Sequence, residues 1–278
     1  MTITANVKVG HRMLKEEVKN HQILSLITGS HAYGLNVEGS DKDVKTIVVE
    51  PLRDVAGLSE PWGGKVYSQD GEQDYEVYGL RKFLRLALKG NPTVTELLFN
   101  QLYVDDPPAV GLELQDLYPF IVSRQAGKAY LGYMEAQRKR LTGERGNAGH
   151  GIMRTELIEQ HGFDTKFAMH MLRLGFQGIE LLSEGHLTLP IREPNRTYLR
   201  QVREGAFSID QCLSKAAELE VVLKDLLKTS SVQDQPQTEA VEEWMLAVYF
   251  EAWANQLLSD SPDGRAWVAE DPTGYSGD

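Results

Sequence analysis

Residues 23–49, ILSLITGSHAYGLNVEGSDKDVKTIVV, decide the fold of the N-terminal part of the chain. The apolar run 23–27 predicts a buried strand, and it stops at Thr28-Gly29-Ser30, where glycine and serine favour a turn. The β-branched run 46–49 then predicts a second strand. Two short strands so close in sequence predict a small sheet.

The rest of the chain predicts one more strand and a series of helices. Residues 73–78 form the third strand candidate. Helical periodicity or helix-start signals are found at 11–22, 80–90, from 91 to about 98, 120–141, 155–185, 194–204, 208–228 and 241–258. We therefore expect an α+β protein, with a small mixed β-sheet core and its helices followed by a helical domain.

Three regions follow from this pattern. We expect a catalytic domain over 1–108, a helical nucleotide or substrate domain over 109–228, and an acidic linker, C-terminal helix and loose tail over 229–278. The net charge of −11 lies almost wholly in the last region, which holds ten acids and one base. The low isoelectric point therefore says little about what the nearly neutral body binds.

Several classes of protein are excluded by composition. No apolar stretch approaches the roughly 18 residues of a membrane span, and the N-terminus lacks an apolar leader, so we expect a cytoplasmic protein without a membrane partner. The lone Cys212 suits a reducing compartment and lies in an apolar helical pattern, so we interpret it as a core residue rather than a reactive thiol. No P-loop, GxGxxG or zinc-ligand spacing is present.

The segment after the first strand carries the chemistry. Gly29 allows close approach of a phosphate to backbone N–H groups, and the Ser30 hydroxyl adds a donor. Asp41 and Asp43 are predicted at i and i+2 on a strand, with both carboxylates on one face. Such a pair beside a phosphate site can hold divalent cations that bridge nucleotide phosphates.

A third carboxylate would complete this site. Asp74, Glu76 and Tyr78 share one face of the third strand candidate, so either acid is available. A lone Asp-x-Asp is more often a solvated loop or an Asx turn. The full succession of strand, Gly-Ser, spaced aspartates, strand and third carboxylate favours a functional site.

The pattern GSHAYGLNVEGSDKDV resembles the signature of the DNA polymerase beta-like nucleotidyltransferase superfamily. The downstream stretches DYEVYGLRKFLRLALKGNPTVTELLF and HGFDTKFAMHMLRLGFQGIELL resemble one branch of it, the nucleotidyltransferases associated with RNA repair. These blocks together cover roughly residues 23–227.

The resemblance implies specific roles for the acidic residues. Asp41 and Asp43 would ligate two Mg²⁺ ions, with Mn²⁺ as an alternative. Asp74 would be the third metal-binding and catalytic carboxylate, which activates the attacking hydroxyl, and Glu76 is the reserve for that role.

The resemblance also implies the nucleotide contacts and the reaction. Gly29 and Ser30 would hold the triphosphate, and Lys166 would reach a phosphate from a later helix. The enzyme would move a nucleoside monophosphate from a nucleoside triphosphate to a hydroxyl, on an RNA end, and release pyrophosphate. Two alternatives stay open: the same chemistry on a protein or small-molecule hydroxyl, and a nucleotide-binding sensor or adaptor without turnover.

Residues in the later helical region have competing interpretations. Lys166 and His170 lie at i and i+4 and share a helix face, so both can point at a nucleotide. Alternatively, Asp164 is only a helix cap and Lys166 is solvated. His31 in the signature loop is either close to a phosphate or a plain loop residue.

The remaining polar and aromatic candidates also have two interpretations. Asn91 is predicted to cap a helix, Glu96 to be a carboxylate favoured by an early helix position, and Trp244 and Trp253 to be core residues. Two basic sets are either solvated or bind phosphate groups: Arg138, Lys139, Arg140, Arg145 and Arg154, and the helix face Arg196, Arg200 and Arg203.

Overall fold

The computed structural model describes residues 15–57, 64–66, 75–144 and 154–259. The described part begins with a short helix and the first strand pair. In chain order these segments are α1 (Lys15–His21), β1 (Gln22–Ile27), α2 (Gly29–Tyr33), β2 (Val44–Val48), α3 (Leu52–Ala56), β3 (Gly64–Val66) and β4 (Tyr75–Gly79).

The chain then becomes helical. The helices are α4 (Leu80–Leu88), α5 (Pro92–Thr95), a 3₁₀ turn (Glu96–Leu98), α6 (Ala109–Asp116), α7 (Tyr118–Ile121), α8 (Arg124–Leu141), α9 (Thr155–His161), α10 (Thr165–Glu184), α11 (Asn195–Arg203), α12 (Ile209–Thr229) and α13 (Thr238–Ser259). Their starts carry the expected signals: Asn91 accepts a hydrogen bond from the Thr93 N–H at 3.0 Å, and Ser208 forms a capping box with Gln211.

The described strands form one mixed sheet in the order β1-β2-β4-β3. Strand β1 pairs antiparallel with β2, β2 pairs parallel with β4, and β3 pairs antiparallel with β4. The small mixed sheet followed by helices confirms the predicted α+β class. The three-residue β3 was not predicted, because so short a strand has no measurable periodicity.

Among the described residues, two large hydrophobic cores hold these layers together. The first joins the sheet to the helices that follow it, and its fully buried members include Leu24, Ile47, Leu80, Phe83 and Leu97.

The second core lies among the later helices, where α10 packs between α8 and α12 around Tyr130, Met171 and Leu172. Leu114 and Ile121, beyond the predicted boundary at residue 108, pack in the first core. The division into separately folding units stays a prediction.

Several predicted segments differ from the observed ones. The helix predicted over 120–141 is divided between α7 and α8, and β2 covers Val44–Val48 rather than 46–49. The third strand begins at Tyr75 and ends at Gly79, rather than covering 73–78. The helix predicted over 155–185 is two helices, because Gly162 adopts φ +81° and Asp164 starts α10. Residues 41–43 precede β2 rather than belonging to it.

The polar segment predicted as a linker is fixed to the protein. Ser230 donates a hydrogen bond to the Leu182 carbonyl, and Gln233 donates to the carbonyls of Pro119, Phe120 and Val122. Side chains of the predicted polar linker over 229–240 therefore satisfy carbonyls of the neighbouring helices, and helix α13 begins within it at Thr238.

Helix α13 is part of the first core. Val241 and Tyr249 are buried, and the Trp253 indole donates to the Glu50 carbonyl at 2.9 Å. Trp244 and Trp253 pack against this core, as predicted. The predicted loose tail after Ser259 lies outside the described residues. In the described part of the chain, no helix combines the length and hydrophobicity that a bilayer span requires.

Candidate active site

A cavity of about 580 Å³ lies where the segment after β1 faces helix α10. Its lining includes five residues predicted for the site: Gly29, Ser30, Asp41, Asp43 and Lys166. The structure therefore brings together residues separated by more than 130 positions in the sequence.

Gly29 is required by its geometry. Its φ is +66°, and a Cβ built at this position would lie 2.5 Å from the Asp43 Oδ2 atom. A side chain is therefore excluded both by the left-handed backbone and by the carboxylate beside it. The sequence predicts a turn at this position. The chain instead starts the short helix α2 at Gly29, which places Ser30 on the cavity wall.

The two aspartates lie before β2, which corrects their predicted place on a strand. The Thr28 N–H donates to the Asp43 carbonyl at 2.8 Å, and the ladder between β1 and β2 begins only at the next residue. Asp41 and Asp43 are exposed, and both line the cavity. Both carboxylates thus reach the cavity because of the conformation of the loop, and not because alternate residues of a strand face the same side.

The signature loop is held by its own hydrogen bonds. The His31 ring contacts the Ser40 carbonyl through Nε2 at 3.1 Å, and the Ser40 hydroxyl accepts from the Val37 N–H at 2.9 Å. His31 therefore closes the loop that carries the aspartates.

Of the two candidates for the third carboxylate, the structure describes Glu76 alone. Asp74 lies outside the described residues, so its predicted role stays a prediction. Glu76 lines the cavity and forms an ion pair with Lys45 at 2.7 Å, opposite it in the β2–β4 register. Burial, followed by Glu76, raises the pKa of Tyr78 on the same strand.

One face of α10 forms the other wall. Lys166, Met169, His170 and Arg173 line the cavity at helical spacing. Asp164 is fully buried and caps the helix, accepting from the Lys166 and Phe167 N–H groups at 2.9 and 3.1 Å. The cap interpretation of Asp164 is confirmed, while Lys166 is half-buried at the cavity rather than simply solvated.

Burial, together with neighbouring cations, lowers the pKa values of two α10 side chains, Lys166 and His170. Burial, then Arg154 and Arg203, lowers the pKa of Lys166, while Asp43 opposes this shift. Burial, then Arg173 and Lys166, lowers the pKa of His170 to about 3. The imidazole is therefore neutral at physiological pH, and the cavity wall beside it is cationic.

A buried polar cluster under the cavity was missed from the sequence. Glu96 is 3% exposed, and the Tyr33 hydroxyl donates to its carboxylate, lying 2.8 Å from both oxygens. Arg173 donates to Glu96 at 3.3 Å and to Gln177 at 2.7 Å, and its guanidinium lies 4.0 Å from the centre of the Tyr33 ring.

This cluster changes the interpretation of Glu96. Glu96 begins the 3₁₀ turn, as its predicted early-helix position requires, and it also binds Tyr33 and Arg173, which was not predicted. Burial raises its pKa, against the opposing effects of Arg173 and Tyr33. The cluster connects α2, which carries Ser30, with α10, which carries Lys166.

The predicted basic sets have separate environments. On α11, Arg196 pairs with Glu193 at 2.9 Å, Arg200 donates to the Gly34 carbonyl at 2.6 Å, and Arg203 lines the cavity. The three arginines that were predicted to share one helix face therefore have three different environments. Of the other set, Arg145 lies outside the described residues.

Cys212 is fully buried, and burial raises its pKa to about 11. The prediction of a core residue is thus confirmed, since a protonated, inaccessible thiol is a poor nucleophile.

The aspartate pair fits a divalent cation by its donor chemistry. Within the described ranges, no cluster of three or more His, Cys, Asp or Glu side chains has metal-binding geometry. Mg²⁺ in phosphoryl-transfer sites is usually held by one or two carboxylates together with substrate phosphates and water. Asp41 and Asp43 satisfy this requirement without a third protein ligand.

Comparisons with known proteins identify the family of the chain. The model of the RNA repair pathway DNA polymerase beta family, RlaP, matches residues 7–245. An uncharacterized 38.9 kDa protein from the nrdC-mobD intergenic region of Enterobacteria phage T4 is 31% identical over 124 residues. That match covers 39% of this chain and 35% of the phage protein. No solved structure matches the chain. The family model covers most of the chain, and the chain therefore belongs to the RNA repair pathway DNA polymerase beta family.

Proposed function

We propose that the protein is a metal-dependent nucleotidyltransferase that transfers a nucleoside monophosphate from a nucleoside triphosphate to a hydroxyl on an RNA end. The observation that carries this proposal is the convergence of Ser30, Asp43 and Lys166 on one cavity. A hydroxyl donor, a carboxylate pair and a cation around one space match the needs of phosphoryl transfer, which depends on positioning and charge neutralisation.

The triphosphate would lie along the cavity between α2 and α10. Gly29 lets the Asp43 carboxylate lie close to the backbone at the cavity. The Ser30 hydroxyl would donate to a phosphate oxygen, and Lys166 would contribute a positive charge from the opposite wall. Burial and two nearby arginines lower the pKa of Lys166, so a bound phosphate would relieve a repulsion already present.

Asp41 and Asp43 would hold Mg²⁺ or Mn²⁺, which when bound neutralises phosphate charge and favours ionisation of the acceptor hydroxyl. The hydrogen bonds of His31 and Ser40 hold the loop that keeps the two carboxylates at the cavity. The Tyr33–Glu96–Arg173 cluster connects the two walls through a hydrogen bond and an ion pair.

The reaction is an in-line displacement. The acceptor oxygen forms a bond to the α-phosphorus while the bond from that phosphorus to the bridging oxygen breaks, and pyrophosphate leaves with the bond's electron pair. The hydroxyl proton passes to a carboxylate. Asp74 is our first choice for that base, and Glu76, paired with Lys45 at the cavity, is the second.

RNA as acceptor rests on the family, whose description is an RNA repair pathway. The charge distribution is compatible with a polyanion, because residues 124–173 hold nine bases and five acids while the acidic excess lies after residue 228. Protein and small-molecule hydroxyls are alternative acceptors that the same assay separates.

The test is a transfer assay with each of the four α-³²P-labelled ribonucleoside triphosphates, Mg²⁺, and RNAs that differ in their terminal groups. We expect label to enter RNA with wild type and not with the Asp41→Ala/Asp43→Ala double variant. Label in protein or in a small molecule would move the acceptor to that class. Mg²⁺-dependent nucleotide binding without pyrophosphate release would replace the proposal by a sensor.

A further inference from the structure

A row of cations lies on the exposed side of α4. Lys82, Arg85 and Lys89, the last of which caps the helix, lie at i, i+3 and i+7, so they share one face, and all three are exposed. The sequence has no acid from residue 77 to residue 95. In the part of the chain that the structure describes, no carboxylate forms an ion pair with any of the three. We call Lys82, Arg85 and Lys89 the α4 track.

The α4 track starts at the rim of the cavity. The Lys82 Nζ atom lies 5.6 Å from the centre of the Tyr78 ring, and the Lys45 Nζ atom lies at the same distance from that ring. Lys45 and its partner Glu76 line the cavity. Seven residues that each rise about 1.5 Å place Lys89 about 10 Å farther along the helix axis. The α4 track therefore leads away from the candidate site over the protein surface.

Helix α8 lies beside the far end of the α4 track. The Gln125 amide donates to the Leu88 carbonyl at 3.2 Å, and a Cβ built at Gly90 would lie 2.3 Å from the Ala126 Cα atom. Helix α5 contacts both α4 and α8, and its Thr93 lines the cavity. The exposed sides of α4 and α8 therefore border one surface that reaches the cavity at α5.

An aromatic side chain is exposed on the α8 border of this surface. Tyr133 is 42% exposed and lies about two turns after Gln125. Burial, then Glu76, raises the pKa of Tyr78, and Tyr133 adds to this effect, so the two tyrosines are near one another. Proteins that bind single-stranded nucleic acid combine such parts, because an aromatic ring stacks on a base while cations contact the phosphates.

Two acids near this surface are engaged elsewhere. Glu76, at the inner end, pairs with Lys45 at 2.7 Å. Glu135 is two residues from Tyr133, which places it about 200° around α8, and it interacts with Lys224 of α12. Among the described residues, the surface between the α4 track and Tyr133 thus keeps an excess of positive charge, which favours a polyanion.

We propose that the α4 track and Tyr133 bind the single-stranded RNA that ends in the acceptor hydroxyl, with the cations on its phosphates and the Tyr133 ring on a base. This inference rests on the proposed function, because it gives the acceptor of that reaction a path. The strand would pass Lys89 and reach the cavity at Lys82, which brings its terminal hydroxyl to the side of Glu76. Acceptor and triphosphate would then come to the aspartates from different sides, which an in-line displacement requires.

The test measures the affinity of a fluorescein-labelled single-stranded RNA of about 12 nucleotides by fluorescence anisotropy, without nucleotide or divalent cation and at several salt concentrations. We expect Lys82→Gln/Lys89→Gln to weaken binding at least about tenfold at low salt. The slope of log affinity against log salt should fall by about 1.4, the value for two lost phosphate contacts on a single strand. Lys19→Gln/Lys224→Gln is the matched control, because it removes the same charge from exposed positions on α1 and α12 and should change the affinity less than about twofold.

Tyr133 has its own pair of variants. Tyr133→Ala should weaken RNA binding about 5- to 150-fold, the effect of losing one base–aromatic stack. Tyr133→Phe keeps the ring and should bind RNA within about twofold of wild type. Equal losses in the two variants would overturn stacking by the ring. The affinity for a nucleoside triphosphate should be unchanged in all of these variants, a readout that a general loss of structure would change.

The outcomes separate this inference from the proposed function. If wild type transfers nucleotide but a folded Lys82→Gln/Lys89→Gln variant binds RNA as tightly as wild type, the α4 track alone is overturned. RNA binding that depends on the α4 track, without any transfer, would keep the surface and remove the enzyme. Competition by poly-glutamate as strong as that by unlabelled RNA would overturn the assignment to RNA in favour of an acidic protein partner.

Discussion

Replacement of Glu96 by Gln tests the buried cluster that joins the two walls of the cavity. The Glu96 and Arg173 side chains are 3% and 11% exposed and lie 3.3 Å apart, so removal of one charge leaves the other buried without its partner. Such a loss costs about 3–5 kcal/mol, and we expect the lower end because the Gln177 amide oxygen still accepts from Arg173.

The expected change is measurable by thermal unfolding. For a chain of this size about 3 kcal/mol corresponds to a fall in Tm of roughly 6–12 °C. Glu193→Gln is the matched control, since Glu193 forms an exposed pair with Arg196 and should leave Tm unchanged. The double variant Glu96→Gln/Arg173→Met should recover most of the loss, because it removes the stranded charge.

A specific result would refute this reasoning. Ordinary surface substitutions change the free energy of unfolding by less than about 0.5 kcal/mol. If Glu96→Gln had so small an effect, the ion pair would not stabilise the contact between α2 and α10. Failure of the double variant to recover stability would show that packing, and not the stranded charge, explains the loss.

Three further predictions concern the site and the C-terminus. Gly29→Ala should reduce nucleotide transfer at least about 100-fold by displacing Asp43. The control Gly132→Ala, with open space around it, should be fully active and should raise the free energy of unfolding by about 0.5–1 kcal/mol. Near-normal transfer by Gly29→Ala would contradict the close approach of Asp43 to Gly29. The folded-state pKa of His170, about 3, is below its unfolded value of about 6.5. Its contribution to stability is therefore present above about pH 6.5 and declines toward pH 3, so His170→Gln should reduce the acid sensitivity of unfolding, and parallel curves for the two proteins would contradict this. Residues 260–278 hold five acids and one base, so their deletion should strengthen RNA binding at low salt. The Tm should be unchanged because α13 is retained. Unchanged or weaker affinity would show that the tail exerts no electrostatic effect.

Local chemistry made much of the site predictable. A strand followed by Gly-Ser and a spaced aspartate pair is encoded in consecutive residues, and the cap at Asp164 follows from residue type. These features depend on backbone geometry over a few positions. Sequence alone could therefore place Gly29, Ser30, Asp41 and Asp43 together.

Long-range partners could not be predicted in the same way. Glu96 and Arg173 are 77 residues apart, and nothing local to either shows that one neutralises the other. Arg203 has the helical spacing of a solvated face, yet it lies on the cavity wall because α11 docks on α10. The strand assignment of Asp41 and Asp43 was wrong because the β1–β2 ladder ends at Val44.

Pyrophosphate release by a single carboxylate variant tests the central claim most directly. The assay follows release from a nucleoside triphosphate with Mg²⁺ and the RNA acceptor that wild type uses, and it compares Asp43→Asn with Glu38→Gln. Glu38 is an exposed acid of the same loop that also lines the cavity, so it controls for a general loss of negative charge. The account predicts at least about a 1000-fold loss for Asp43→Asn and at most about a twofold change for Glu38→Gln. Equal rates for wild type and Asp43→Asn would contradict it.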